Sequence, residues 1–183
     1  MAEEIDLLKL VCGRLEQAGI AYMLTGSLAA NFYAVPRMTR DIDIVIEIDR
    51  FEIGKFCQYF EKDFYLTKNS ISEAIEHESM FNIIHNHSVF KIDFIIRKDS
   101  LYRDTEFRRR HRVEFDDTQI WIVSPEDLII SKLFWSKDSF SDYQLRDVKN
   151  LLASTKNLDE KYISEWIQTL GLNSIYEKVK TDG

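Results

Sequence analysis

Cysteine is scarce. Only Cys12 and Cys57 occur in 183 residues, far apart, outside any CxxC and with no His-rich neighbour at metal-ligand spacing. A zinc site and a disulfide framework are therefore not expected, and a reducing compartment is. Long apolar runs are missing too: no stretch of 18 apolar residues appears, so no membrane-spanning helix is predicted. The opening MAEEIDLLKLVCGRLEQAG has acidic residues where a secretory leader has an apolar run, which makes the cytoplasm the expected location. Positive charge is in deficit: 24 Lys and Arg face 31 Asp and Glu, for a net charge of -7. That excludes a large nonspecific nucleic-acid surface but permits a local basic patch. No internal repeat or long low-complexity tract is present.

With 45% apolar and 13% aromatic residues, the chain can build the core of one globular domain. Ile5, Leu8, Cys12 and Leu15 recur at helical spacing and predict a helix ending near Gly19, followed by a short strand AYML. A second helix is expected from Ser27 through LAANFYA to Pro36. DIDIVIEI then alternates as a strand, with Ile42, Ile44, Ile46 and Ile48 on one face and Asp41, Asp43, Val45 and Glu47 on the other. RFEIGKFCQYF reads as an amphipathic helix, KNSISEAIEHE as a polar segment, and MFNIIHN with VFKIDFII as a hairpin around HS. QIWIV is the last strand expected.

In SPEDLIISKLFW, Ser124, Pro125 and Asp127 mark a capped helix start. Helical spacing resumes at Leu145, Val148, Leu151 and Leu152, then at Ile163, Trp166, Ile167 and Leu170 before Gly171, and last at Ile175, Tyr176 and Val179. The predicted organisation is α+β, a small mixed sheet flanked by helices over residues 1–123 and a helical part over 124–183.

Two aspartates open the isoleucine strand, and their spacing carries the chemistry. Carboxylates at i and i+2 project to the same side with Cα atoms roughly 7 Å apart, so they can share a cation. Brought to 4 Å without one, they would repel by about 4 kcal/mol at an effective dielectric of 20. All-oxygen ligands favour Mg²⁺ or Mn²⁺ over zinc, and Mg²⁺ commonly combines one or two carboxylates with substrate phosphates. Gly26 and Ser27, before a helix start, can bring backbone N–H groups close to an anion. Asp93 in KIDFII shares its strand with Ile92, Phe94 and Ile96 on the opposite face; pairing beside the first strand would add a third carboxylate, and three could hold two metal ions. Each piece alone also fits an ordinary polar strand face or helix cap. Their order, Gly-Ser, Asp-x-Asp, then a strand Asp, makes the joint reading.

At these residues the sequence resembles the nucleotidyltransferase superfamily, with the polymerase-β-like fold. It is most similar to the minimal toxin-like, abortive-infection branch, in which Gly-Ser or Gly-Gly precedes Arg-x-Thr-x-Asp-x-Asp, here Arg37, Thr39, Asp41 and Asp43. The resemblance spans about residues 20 to 155. It implies transfer of a nucleoside monophosphate from an NTP, ATP by preference, to a hydroxyl. It also implies that Gly26 and Ser27 cradle the β and γ phosphates, that Asp41, Asp43 and Asp93 hold Mg²⁺ or Mn²⁺, and that Asp93 activates the acceptor. A helical lysine and an Arg-Asp pair beside the nucleotide correspond to Lys132, Arg146 and Asp147.

By composition, Lys132 among apolar helical neighbours either snorkels outward or reaches into a site, and Arg146 has an i,i+4 ion pair with Asp142 as its alternative. Arg108, Arg109, Arg110 and Arg112 form the dense basic run, read either as a solvated loop or as a contact to an acceptor such as RNA. His85 and His87 lack a third metal ligand at suitable spacing; Trp121 is assigned to the core. The acceptor, whether RNA, protein or small molecule, stays open. Two rival readings stay open too: a silent nucleotide- or partner-binding module, and a metal-dependent phosphoesterase or nuclease.

Overall fold

The structure is a computed structural model, and it describes residues 2–39, 41–88, 90–139 and 142–181. Among these, the chain runs α1 (Ala2–Ala18), β1 (Ala21–Thr25), α2 (Gly26–Tyr33), β2 (Asp41–Glu47), α3 (Ile53–Phe60), β3 (Phe64–Tyr65) and α4 (Lys68–Glu76). It continues as β4 (Met80–His85), β5 (Lys91–Ile96), α5 (Leu101–Arg108), β6 (His111–Phe115) and β7 (Thr118–Ile122). Helices α6 (Pro125–Ser139), α7 (Asp142–Ser154), α8 (Glu160–Thr169) and α9 (Asn173–Thr181) complete it. The described strands form one seven-stranded mixed sheet in the order β3-β4-β5-β2-β1-β7-β6. β2 runs parallel to β5 and antiparallel to β1, while β1 runs parallel to β7.

The alternation read in DIDIVIEI sets the layers. Ile42, Ile44 and Ile46 are fully buried, whereas Asp41 and Glu47 on the opposite face are exposed. Over the isoleucine face, Phe56 of α3 stacks on Phe60 and meets Phe81 and Phe94 edge-on. Each such side chain removed from water contributes about 1.5–3 kcal/mol, which fixes the register against a one-residue slip. On the other face α2 lies against β1 and β2 and packs on α6 and α7. The hydrophobic core is continuous from α1 through the sheet to α9.

Several elements differ from the expectation. KNSISEAIEHE is helix α4, because Thr67 caps it by accepting from the Ser70 N–H and Ile71 and Ala74 bury one face. The segment beginning at Leu101 is helix α5, capped by Ser100. The basic run is no loop: it ends α5 and forms β6, which pairs with β7 from His111↔Ile122 to Phe115↔Thr118. β4 and β5 do pair antiparallel, but the turn between them spans more than His-Ser; Val89, where the second run begins, lies outside the described residues.

Candidate active site

Strand register brings one row of polar residues to one end of the sheet. Thr25 pairs with Asp43, Asp43 with Asp93, and Asp93 with Asn82, so side chains from four strands share a face. One step further out, Asp41 pairs with Lys91. Neighbouring strands are about 4.8 Å apart and i,i+2 positions about 7 Å apart, so Asp41, Lys91, Asp43 and Asp93 form a small rectangle. The expected convergence of Asp93 with Asp43 is thus met at the level of backbone register.

Gly26 closes this rectangle against α2. Its φ of +67° is in the left-handed region, and a Cβ there would lie 2.6 Å from Cγ and 2.7 Å from Cβ of Asp43, and nearer still to Oδ2. Only glycine fits both the backbone and the space. Burial raises the Asp43 carboxyl above the usual range, and the neighbouring Asp93 charge raises it further; Lys132 and the Ser27 backbone N–H act in the opposite sense.

Asp93 is buried. Its Oδ2 accepts from Lys91 Nζ at 2.8 Å, while its Oδ1 is buried without a hydrogen-bond partner. The same ammonium is 3.9 Å from Asp41 Oδ1. Bonding to Asp93 raises the Lys91 pKa against the opposing effect of burial. Asp41 is more than half exposed, and the Thr39 hydroxyl lies 3.4 Å from the Asp41 carbonyl oxygen, a marginal contact at the strand entry.

A second cluster lies on the other side of Gly26 and Ser27. Arg37 grips Asp147 through Nε to Oδ1 at 2.8 Å and Nη2 to Oδ2 at 2.9 Å, and the same Nη2 donates to Ser27 Oγ at 2.7 Å. Lys132 Nζ donates to Asp147 Oδ2 at 2.8 Å and to Gln144 Oε1 at 3.0 Å. Asn31 fixes the Arg37 backbone, donating to its carbonyl at 2.8 Å and accepting from its N–H at 2.9 Å. Lys132 is only 3% exposed, so it does not snorkel outward; burial lowers its pKa, against the opposing pull of Asp147. Burial also pushes Asp147 upward, but bonds from Arg37 and Lys132 outweigh it and hold the carboxyl below its usual range. Arg146 is exposed on α7 and takes no part in this cluster; no ion pair to Asp142 forms among the described residues either.

The basic run is divided: Arg108 and Arg112 are exposed, while Arg109 and Arg110 are half-buried against neighbouring elements. Arg109 bonds Asp127 at 2.8 Å and Glu126 at 3.2 Å while stacking 3.9 Å from the Tyr162 ring centre. Arg110 lies over Phe107 and Trp121, and Arg112 pairs with Glu16 over the same tryptophan. Arg108 pairs with Asp104 one turn away. Most of these guanidiniums serve the packing of α5, β6, α6 and α8, which a charge count cannot distinguish from a phosphate-binding run. Trp121 is accordingly packed, not a free platform. His85 bonds Ser88 through Nδ1, and among the described residues no third ligand joins it and His87.

Lys91, Asn31 and Gln144 were not among the expected site residues. Lys91 had a signal, since strand parity places it on the face of Asp93. The other two had none, because their roles depend on contacts across the fold.

Among the described residues no group of three or more His, Cys, Asp or Glu side chains, Asp41, Asp43 and Asp93 included, is placed as it stands to hold a metal ion. The donors nevertheless suit Mg²⁺ or Mn²⁺: they are all oxygens, one is buried and unpartnered, and such ions commonly complete their shell with water and phosphate oxygens.

No family model matches the chain, and no curated protein matches it. Solved structures do. The antibiotic-resistance factor ANT(2'')-Ia, in complex with adenylyl-2''-tobramycin, aligns over 95% of this chain and 99% of its own, at TM-score 0.59 and 13% identity. An antigenic nucleotidyltransferase-like protein from Paracoccidioides brasiliensis aligns over 97% and 93%, at 0.56 and 14%. The lincosamide antibiotic adenylyltransferase LnuA, bound to lincomycin, aligns over 77% and 91%, at 0.51 and 18%. Taken with the sheet order, these likenesses show that the chain shares the fold of these solved structures.

Proposed function

We propose that this protein is a nucleotidyltransferase that moves a nucleoside monophosphate from an NTP, by preference ATP, to a hydroxyl group, with Mg²⁺ or Mn²⁺ as cofactor. The observation that carries this is the register Thr25↔Asp43↔Asp93, with Gly26 seated against Asp43. Asp41, Asp43 and Asp93 would hold the metal, which when bound supplies charge neutralisation at the reacting phosphate. Gly26 and Ser27, at the N-terminus of α2, present N–H groups to the β and γ phosphates. Arg37 and Lys132 supply positive charge on that side, and Thr39 borders it. Asp147 holds both cations, and Arg146 stays outside the cluster.

In the reaction the acceptor oxygen bonds to the α phosphorus, the bond from that phosphorus to the bridging oxygen breaks, and pyrophosphate leaves. Asp93, with one oxygen unpartnered, takes the hydroxyl proton. Residues 124–183 act as the helical half of the nucleotide cleft. One of the similar structures is a lincosamide antibiotic adenylyltransferase and another is in complex with adenylyl-2''-tobramycin, which supports a small hydroxylic acceptor beside RNA and protein. The toxin-like branch and a cytoplasmic location accord with the sequence resemblance, and no described helix is long and apolar enough to cross a membrane.

The test is transfer from α-labelled ATP and Mg²⁺ into a cell extract, with pyrophosphate measured and the product then treated with protease or ribonuclease. Label in any fraction with matching pyrophosphate supports the proposal. Nucleotide binding by calorimetry without pyrophosphate release from any of the NTPs would sink it in favour of a silent binding module.

A further inference from the structure

The rectangle of strand residues contains one cation of its own. Lys91 is in register with Asp41 and two residues before Asp93 on the same face. Its Nζ lies 2.8 Å from Asp93 Oδ2 and 3.9 Å from Asp41 Oδ1. A cation bridging two of the three carboxylates stands where a divalent ion joining them would have to sit. The side chain is 41% exposed, so its four-carbon stem is free to swing the ammonium aside without unpacking the core.

We propose that Lys91 is a tethered counter-ion that competes with the divalent metal for Asp41 and Asp93, so that the nucleotide-free protein binds metal weakly and the metal enters together with the NTP. This inference rests on the function proposed above. The physical reason is charge. The Lys91 ammonium lies beside Asp41 and Asp93, and a divalent ion arriving alone must displace that ammonium from a buried acceptor. An ion arriving with a triphosphate brings further oxygen ligands and negative charge that offset the displacement. The ammonium also explains how a buried carboxylate beside two others is tolerated without metal, since an unpaired buried charge is strongly unfavourable. An ordinary structural ion pair would have no link to metal affinity, and this separates the two roles.

The experiment measures Mn²⁺ binding to the nucleotide-free full chain by electron paramagnetic resonance and calorimetry, for the wild type, Lys91→Met and Asp43→Asn. Lys91→Met should tighten Mn²⁺ binding about tenfold or more, the effect expected from removing one charge a few ångströms from the metal. The difference should shrink when a non-hydrolysable ATP analogue is present. Thermal melts should show Lys91→Met less stable than wild type without metal and restored by Mn²⁺; Lys91→Gln provides a second variant if the first fails to fold. Mn²⁺ binding that Asp43→Asn abolishes but Lys91→Met leaves unchanged or weakens overturns the role of Lys91 while the carboxylate site stands. Mn²⁺ binding to none of the proteins, with or without the analogue, overturns the metal site and this inference together.

Discussion

Two charged clusters flank the turn at Gly26 and Ser27, and they are composed in opposite ways. On the sheet side, Asp41 and Asp93 lie beside one ammonium, Lys91, Asp43 feels Lys132 from the helical side, and one buried oxygen of Asp93 has no partner. On the helical side, Arg37 and Lys132 face a single carboxylate, Asp147, whose two oxygens are both bonded. The first cluster is short of positive charge and the second is short of negative charge. A metal ion and a triphosphate bound between them would correct both imbalances at once. Burial by itself therefore does not mark the functional group: Asp93 and Asp147 are about equally buried, yet only the second is satisfied. In the first an acceptor oxygen has no partner, whereas in the second Asp147 holds Lys132 and the Arg37 that donates to Ser27.

The comparison breaks most visibly at Asp43. Asp43→Asn should lower transfer by on the order of 10³-fold, as loss of a preorganised electrostatic group does, with labelled-ATP transfer as the measurement. Stability should hold or rise, because burial already disfavours the charged carboxyl. A folded-state pKa above the unfolded one means that the charged form costs stability near neutral pH, and the cost is relieved as pH falls through the raised value. A variant that melts well below the wild type would make Asp43 a structural residue.

Asp147→Asn should do the reverse, acting first on stability. Removing the one carboxylate from a buried Lys132 and a bonded Arg37 should destabilise the fold by about 3–5 kcal/mol, read from urea denaturation at neutral pH. Here the folded pKa is depressed, so the contribution is complete above the ordinary carboxylate range and is lost as pH falls through the depressed value. The gap between wild type and variant should therefore narrow in acid. A gap independent of pH would separate the clamp from the charge of Asp147.

The smallest effect belongs to a charge outside both clusters. Arg108 has a side chain 78% exposed and pairs with Asp104 across one helical turn, so Arg108→Ala should change stability by about 0.5 kcal/mol or less. Transfer should be unaltered. Selective loss of RNA labelling would return the basic run to the acceptor site.

Much of the site was legible because it lies on a strand. Period-two alternation placed Asp41 and Asp43 opposite Ile42 and Ile44, and Asp93 opposite Phe94, before any pairing was known. The helical cluster was less legible, since Lys132 among apolar neighbours has two readings that only its distance to Asp147 separates. The basic run was only partly legible because a row of arginines looks the same whether it faces solvent, like Arg108, or, like Arg109, stacks on Tyr162 and pairs with Asp127. Helix α4 escaped notice because its apolar face is short, with Ile71 and Ala74 buried and Ile75 packed beside them.

Local composition thus determined the carboxylate face of β2, the glycine that opens α2 and the capped start of α6 at Ser124, since each follows from backbone geometry over a few residues. Tertiary structure alone decided that β2 pairs with β5 in the register Asp43↔Asp93, that Lys91 stands between Asp41 and Asp93, and that Asp147 gathers Arg37 and Lys132. Those contacts join residues tens of positions apart, and their distances are set by how the buried isoleucine and phenylalanine faces pack, which no local pattern encodes.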